Sequence, residues 1–297
     1  MKLDLKLYED TRLFCYERAI ISTMLYFKRN YQNIFLHTLD FTFCENEELL
    51  IGQQIGPGNW QLEQLLERHH GVQINSGTQH DIHSGNFEKR VESELENGRP
   101  VFVEKELLVY GLDQALKEFY VYKLIRDTNE KIPANLICDS SEGFSMFRIV
   151  GEDRSDINKS DVLNALQNRY ENNPYTMTIK QFAEHFLSGF NMEEERKGVD
   201  QHDEVPIIKN VIDIARGRLL YKLLLEFVDE KYHTNYFNDV SILLDEAESK
   251  WLLIVSILVR SYFKGVFLEK DRTKIYKQLL DIADTEETLV ERILSIA

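Results

Sequence analysis

The sequence has 297 residues, a hydrophobic fraction of 43% and a formal net charge of −15 at pH 7. A chain of this length and composition can bury a large core in one or two domains, which excludes a disulfide-stapled mini-protein and a disordered chain. Its 50 acidic side chains outnumber its 35 basic ones, so its surface repels phosphate backbones and nucleic acid is not an expected partner.

Cysteine usage and the distribution of apolar residues indicate the compartment. The three cysteines, Cys15, Cys44 and Cys138, form no CxxC pair, and we expect reduced thiols instead of a disulfide framework or a thiolate zinc site. No apolar run in the sequence approaches the ~20 residues of a membrane helix, and the first residues lack a signal-peptide core. The expected location is therefore the cytoplasm, with no membrane partner.

Apolar spacing and capping signals predict helices early in the chain. The predicted helices cover residues 16–29, 60–68 and 87–96. Asp10 and Thr11 stand upstream of the first helix as caps, and Asn97–Gly98 is a termination signal for the third. The glycine-rich turn at 52–58 matches no nucleotide-binding loop and is followed by no basic residue, so we expect no nucleotide cofactor.

Short runs of β-branched and aromatic residues predict strands in the next segment. The predicted strands cover residues 101–104, 134–138 and 144–150. Gly143 is expected to form the turn of a hairpin between the last two.

The second half of the chain has helical periodicity almost throughout. The predicted helices cover residues 160–170, 178–190, 206–232, 236–266 and 271–296. The polar segment 191–204 is expected to be an exposed, mobile loop whose charge run faces solvent. The apolar run 251–259 is interpreted as core or as the surface of a homodimer. The change of pattern predicts an α+β domain over 1–151 and a helical domain over 160–297, joined by a linker at 152–159.

Cys15 is the strongest candidate for chemistry, because it stands at the start of the first predicted helix. The positive end of the helix dipole and the free N–H groups there can lower a thiol pKa and bind an oxyanion. The alternative interpretation is a small buried hydrophobe beside Phe14 and Tyr16. A cysteine nucleophile also needs a histidine as its base.

The eight histidines offer no decisive base. His69 and His70 end a predicted helix, where imidazoles commonly contact the last carbonyl groups. His80 and His83 lie among serine and glycine residues, which favours an exposed loop over a metal site. We therefore expect neither a metal nor a cofactor.

Four short motifs occur in an order that resembles a known family. They are Cys15–Ala19 at a helix start, Glu47–Gly58 with its glycine loop, Gly71–Val72 after a helix, and Gly98–Glu104, leading to Tyr110. They are similar to the N-terminal domain of butirosin-biosynthesis-protein-H-like proteins, and the resemblance spans most of residues 10–150. The helical half is also similar to the family's second domain. The resemblance implies a papain-like cysteine peptidase fold followed by an all-helical domain.

The resemblance also implies an activity. The family accompanies peptide and aminoglycoside antibiotic gene clusters, and its type member transfers an acyl group from a carrier-protein thioester to an amine. The implied function is an accessory role in natural-product biosynthesis, with cysteine-dependent acyl transfer or thioester cleavage on a carrier-bound acyl or aminoacyl group. The implied partners are an acyl or peptidyl carrier protein and an amine acceptor.

The family pattern assigns roles to individual residues of this sequence. It makes Cys15 the nucleophile, and Asp139 matches the aspartate of the family's Gly-Tyr-Asp turn. Glu104 stands where the family usually has aspartate. The implied substrate-binding residues are Gly56, Gly58, Glu104 and Tyr110.

The sequence departs from the family in the strand before that turn. Family members typically carry a histidine there, and residues 131–139 contain none. Without an imidazole, Cys15 lacks a proton acceptor. Either a base comes from His37, His69 or His80, or the protein is a catalytically inactive relative that acts as a binding or scaffold protein in the same pathway. A third alternative is an all-helical interaction protein, which would show no sheet.

Overall fold

The computed structural model describes residues 1–10, 12–83, 86–103, 106–140, 143–154, 157–172 and 175–296. Contacts within the chain divide it into two compact units. The first unit comprises Met1–Asn33 and Leu62–Ser155, and the second comprises Ile34–Gln61 and Asp156–Ala297. Segment 34–61 therefore groups with the C-terminal helices, whereas the predicted boundary left it in the N-terminal domain.

The helices are numbered in chain order. They are α1 (Cys15–Tyr26), α2 (Leu62–His70), α3 (Gln79–His83), α4 (Phe87–Glu96), α5 (Ala134–Ser140), α6 (Lys159–Asn172), α7 (Tyr175–Gly189), α8 (Met192–Glu195), α9 (Pro206–Tyr232), α10 (Asn238–Lys264) and α11 (Glu269–Ser295). Short 3-10 turns cover Gln32–Phe35, Ile51–Gln54 and His202–Glu204. The predicted long helices of the second half are confirmed, with ends that differ by a few residues.

The strands form one large sheet and one two-stranded ribbon among the described residues. They are β1 (Thr42–Phe43), β2 (Ile55–Gly56), β3 (Val72–Thr78), β4 (Val101–Val103), β5 (Leu107–Asp113), β6 (Glu118–Lys123), β7 (Thr128–Pro133) and β8 (Gly143–Ile149). The sheet of the first unit is antiparallel, in the order β3-β8-β4-β5-β6-β7. The mixed α+β class is confirmed, and the all-helical alternative is wrong.

Burial along the strands explains their places in this sheet. β5 is buried along almost its whole length, as a central strand must be, whereas β7 is polar and largely exposed. Charged side chains on β7 suit an edge strand, because they discourage pairing with another chain. Apolar side chains of α3, α4 and α5 join the core on this sheet. This core of the first unit is therefore built by the sheet and three short helices.

The predicted hairpin between 134–138 and 144–150 is wrong. Residues Ala134–Ser140 form α5, and β8 pairs instead with β3 and β4. Ala134 and Ile137 are both buried and lie one helical turn apart, so a helix buries them on one face. A short apolar run does not by itself distinguish a strand from a helix.

The second unit is organised by three long helices. α9, α10 and α11 each have 27 residues; α9 packs on α10, and α10 packs on α11. The indole of Trp251 is fully buried, and so is the ion pair between Arg218 and Glu286. None of the described helices combines the length and the apolar character that a bilayer crossing requires.

The prediction of an exposed loop at 191–204 is wrong for its first residues. Met192–Glu195 form α8, in which Met192 and Glu195 are buried. Oε1 of Glu195 accepts a hydrogen bond from the Gly52 amide at 2.7 Å. Burial raises the pKa of Glu195, and the Gly52 and Ile207 amides oppose that shift. One carboxyl group of the polar segment, that of Glu195, therefore binds backbone amides instead of facing solvent.

Candidate functional site

Helix α1 begins at Cys15, as the sequence predicted. The preceding residue, Phe14, has extended backbone and makes no side-chain cap hydrogen bond. The thiol therefore lies in the first turn of a 12-residue helix, where backbone N–H groups lack intrahelical partners. This geometry is the one that can activate a thiol when its other surroundings allow it.

The surroundings of Cys15 act in the opposite direction. The side chain is half-buried, and burial is the largest of the effects that together raise the pKa of its thiol to about 11. The carboxylate of Glu106 contributes to this rise, through its charge and through a hydrogen bond with the thiol. Arg18 opposes the shift by a smaller amount. At neutral pH roughly one thiol in ten thousand is therefore ionised.

Two residues that the sequence reasoning missed contribute to this environment beside burial. Glu106 begins the approach to β5 with a φ of 69°, a left-handed conformation that is strained for a residue other than glycine. Its carbonyl oxygen accepts the Leu124 amide at 2.8 Å. Arg18 lies one helical turn after Cys15, and this i, i+3 spacing was the available signal. Glu106 gave no comparable signal, because its position depends on the sheet.

Arg18 is committed to holding the fold. Its buried guanidinium donates to the carbonyl oxygen of Tyr8 at 3.1 Å, to that of Leu124 and to the carboxylate of Asp127. A cation with these partners supports the backbone around Cys15. Its charge lowers the pKa of the thiol too little to outweigh burial and Glu106.

No imidazole is among the groups that set the Cys15 pKa in the described part of the chain. His70 is buried, and its Nδ1 lies 3.1 Å from the Asp153 carboxylate instead of contacting the last carbonyls of α2. His80 is exposed in α3. His37 belongs to the second unit, where it lines a small enclosed cavity with three tyrosines.

The other predicted site residues belong to both units, and two of them cannot be described. Tyr110 is buried in β5, and its ring stacks on Tyr122 with 4.5 Å between centroids, so it packs as core. Gly56 and Gly58 belong to the second unit, and a Cβ at Gly58 would meet the Asp40 side chain at 2.7 Å. Glu104 and the side chain of Asp139 lie outside the described residues. Their predicted roles stay predictions.

An open groove of about 600 Å³ lies in the second unit beside β1 and α7. Its lining includes the Phe43 ring and the exposed carboxylates of Glu45 and Glu184. The His185 ring lies 5.4 Å from the Phe43 ring, and its Nδ1 lies 3.4 Å from Glu45. The hydroxyl of Tyr276 donates to Glu184 at 2.7 Å. An aromatic surface beside two carboxylates suits a cationic amine better than an anion.

A scan of the chain against protein-family models finds no match, and a search of curated proteins finds none either. The resemblance to butirosin-biosynthesis-protein-H-like proteins therefore stays a prediction that depends on the short motifs of the sequence.

Proposed function

We propose that this protein is a non-catalytic relative of cysteine acyltransferases that acts in the cytoplasm as a binding protein of natural-product biosynthesis. The observation that carries the proposal is the protonated, half-buried Cys15 thiol beside Glu106. A nucleophilic cysteine needs a lowered pKa or an adjacent base. Cys15 has a raised pKa, and the charged side chain that hydrogen-bonds to it is a carboxylate.

The second candidate function is cysteine-dependent acyl transfer or thioester cleavage on a carrier-bound group. The position of Cys15 in the first turn of α1 favours it, because free N–H groups there could hold an oxyanion. The two candidates make opposite predictions about the reactivity of one thiol.

Alkylation of Cys15 by iodoacetamide is expected to be slow at neutral pH. Between pH 7 and pH 10 its rate should rise about tenfold per pH unit without a plateau, because the pKa of the thiol is about 11. The Glu106→Gln variant removes the carboxylate charge, which lowers the Cys15 pKa and should speed alkylation at pH 8 by about 3- to 10-fold. Mass spectrometry of the labelled peptides measures both rates.

Cys44 is exposed and serves as the internal reference in each sample, and the Cys15→Ser variant identifies the Cys15 signal. The same samples, incubated with an acyl-pantetheine thioester, should show no acyl group on Cys15. A rate plateau below pH 8, or acylation of Cys15 that Cys15→Ser abolishes, would contradict the binding role and establish the second candidate.

The partners implied by the resemblance are a carrier protein and an amine, and charge favours the amine. The net charge of −15 repels an acidic carrier protein and attracts a polycation. The groove beside Phe43 presents the carboxylates of Glu45 and Glu184, and the Glu45 side chain is 69% exposed. We therefore place the amine in this groove.

A polyamine such as spermine should bind the protein, and the Glu45→Gln/Glu184→Gln double variant should bind it at least about fivefold more weakly, since each exposed ion pair contributes up to ~1 kcal/mol. Titration calorimetry at low salt measures both affinities. The matched control is Asp239→Asn/Glu269→Gln, which removes the same charge from exposed positions of α10 and α11. Equal weakening in both double variants would show general surface attraction and exclude the groove.

A further inference from the structure

One face of α10 is exposed although it carries large apolar side chains. The buried side of the helix contributes Trp251, Ile254 and Leu258 to the core of the second unit. On the opposite side, Ile242, Leu252, Leu253 and Phe263 are between 39% and 71% exposed. At 3.6 residues per turn, all four lie within roughly 60° of Ser256 around the helix axis. Together with the exposed residues that lie between them on the same side, they form the surface that we call the outer face of α10.

The outer face is almost a palindrome. Its first half is Ile242, Asp245, Ser249 and Leu252, with steps of three, four and three residues. Its second half, read backward from the C-terminal end, is Phe263, Arg260, Ser256 and Leu253, with the same steps. Every one of these side chains is exposed. Each half presents an apolar residue, a charged residue, a serine and a leucine, and the two charges have opposite sign.

This symmetry specifies how two copies of the helix can pair. In an antiparallel pair with a two-fold axis between Leu252 and Leu253, each residue of one half faces its counterpart on the other chain. Ile242 then faces Phe263, Asp245 faces Arg260, Ser249 faces Ser256 and Leu252 faces Leu253. A two-fold interface requires this self-complementarity, because both chains contribute the same patch. The alternation of three- and four-residue steps is that of packed helix pairs.

The charges on the outer face favour an antiparallel helix pair over a parallel one. They also favour a second copy of this chain as the partner. A parallel pair would place Asp245 against Asp245 and Arg260 against Arg260, which like charges disfavour. The antiparallel pair places opposite charges together at two symmetric positions. Asp245 and Arg260 bind Lys222 and Asp271 within the chain, yet their side chains remain 51% and 49% exposed. Serines at the two intermediate positions allow the helices to approach closely.

We propose that this protein forms a homodimer in which the outer faces of two α10 helices pack antiparallel about a two-fold axis between Leu252 and Leu253. The proposal is independent of the chemistry of Cys15 and of the groove, since neither contributes to this face.

Charge reversal of one residue at a time tests the proposal with the full chain. Asp245→Arg alone puts an arginine opposite Arg260 at both symmetric positions, and Arg260→Asp alone puts an aspartate opposite Asp245 at both. Each variant should dimerise at least about tenfold more weakly than the wild type in sedimentation velocity. In an equimolar mixture, a heterodimer with one chain of each kind replaces these like-charge contacts by opposite-charge pairs within the dimer. The heterodimer should therefore predominate in native mass spectrometry.

The mixture controls for folding, because each variant is present both alone and with its complement. Phe263→Asp provides a second test, because it should abolish the dimer. Leu116→Asp changes a similarly exposed apolar residue of the first unit and should leave the dimer intact. A wild-type chain that stays monomeric at about 100 μM, or a mixture that associates no better than the separate variants, would overturn the proposal. Dimer loss in both aspartate variants would overturn it as well.

Discussion

Replacement of Glu286 by alanine is expected to lower the free energy of unfolding of the second unit by about 3–5 kcal/mol. The Glu286 side chain is fully buried, and its Oε1 accepts from Nε of Arg218 and from Nε1 of Trp251, both at 2.8 Å. Its Oε2 accepts from Nη2 of Arg218 at 2.6 Å. Without this carboxylate, the buried guanidinium has no counter-charge and the indole N–H loses its acceptor, so the cost is that of an uncompensated buried charge.

Urea unfolding followed by tryptophan fluorescence measures this loss in the second unit alone. The chain has two tryptophans, Trp60 and Trp251, and both belong to that unit. The surface control is Glu226→Ala, which removes an exposed partner of Lys222 at 3.7 Å and should cost at most about 1 kcal/mol.

A double variant distinguishes the cost of an uncompensated buried charge from the cost of lost packing. Arg218→Met/Glu286→Leu replaces the ion pair by apolar side chains of similar volume, and it should recover the part of the loss that comes from the uncompensated charge, while the indole N–H of Trp251 still lacks its acceptor. A loss below about 1 kcal/mol in Glu286→Ala would contradict a buried, essential ion pair.

The helices of the second half were predictable because apolar residues recur through each of them over several turns. Residues 206–232 carry such a pattern, and α9 covers the same range, with buried side chains around most of its circumference. In β6, buried Phe119 and Val121 alternate with Tyr120 and Tyr122, which are partly exposed, so the hydropathy contrast that identifies a strand is weak. β7 is polar along most of its length and is a strand because it pairs with β6. Pairing partners are tertiary information, which one strand's sequence does not contain.

The candidate site likewise combines a feature that local sequence predicts with a feature that depends on tertiary contacts. The start of a helix at Cys15 follows from local sequence, and it was predicted correctly. The sequence left the direction of the Cys15 pKa shift open, because that direction depends on burial and on Glu106, 91 positions further along the chain. Segment 34–61 was assigned to the first domain because no polar linker marks its ends. Its apolar side chains, including those of Ile34 and Phe41, are nevertheless buried with the second unit.

Replacement of Arg18 by methionine is expected to destabilise the first unit by about 2–4 kcal/mol, because the part-buried carbonyl of Tyr8 and the buried carbonyl of Leu124 lose their donor. The charge pair with Asp127 adds little to this value, since the Asp127 side chain is 42% exposed. The first unit contains no tryptophan, so hydrogen exchange measured by mass spectrometry is the appropriate readout. Peptides from α1 and β6 should exchange faster, and peptides from α9 should not.

Arg12→Met is the matched control for this effect. Arg12 is largely exposed and pairs with Asp10 two residues away, so the same substitution there should change exchange by less than about 1 kcal/mol. Arg18→Lys should give an intermediate loss, because an ammonium retains the charge but cannot reach three separate acceptors as the guanidinium fork does. If Arg18→Lys behaved like the wild type, charge alone would stabilise this region, and the backbone carbonyls of Tyr8 and Leu124 would not need the fork. If Arg18→Lys were as damaging as Arg18→Met, the geometry of the donors would account for the whole effect.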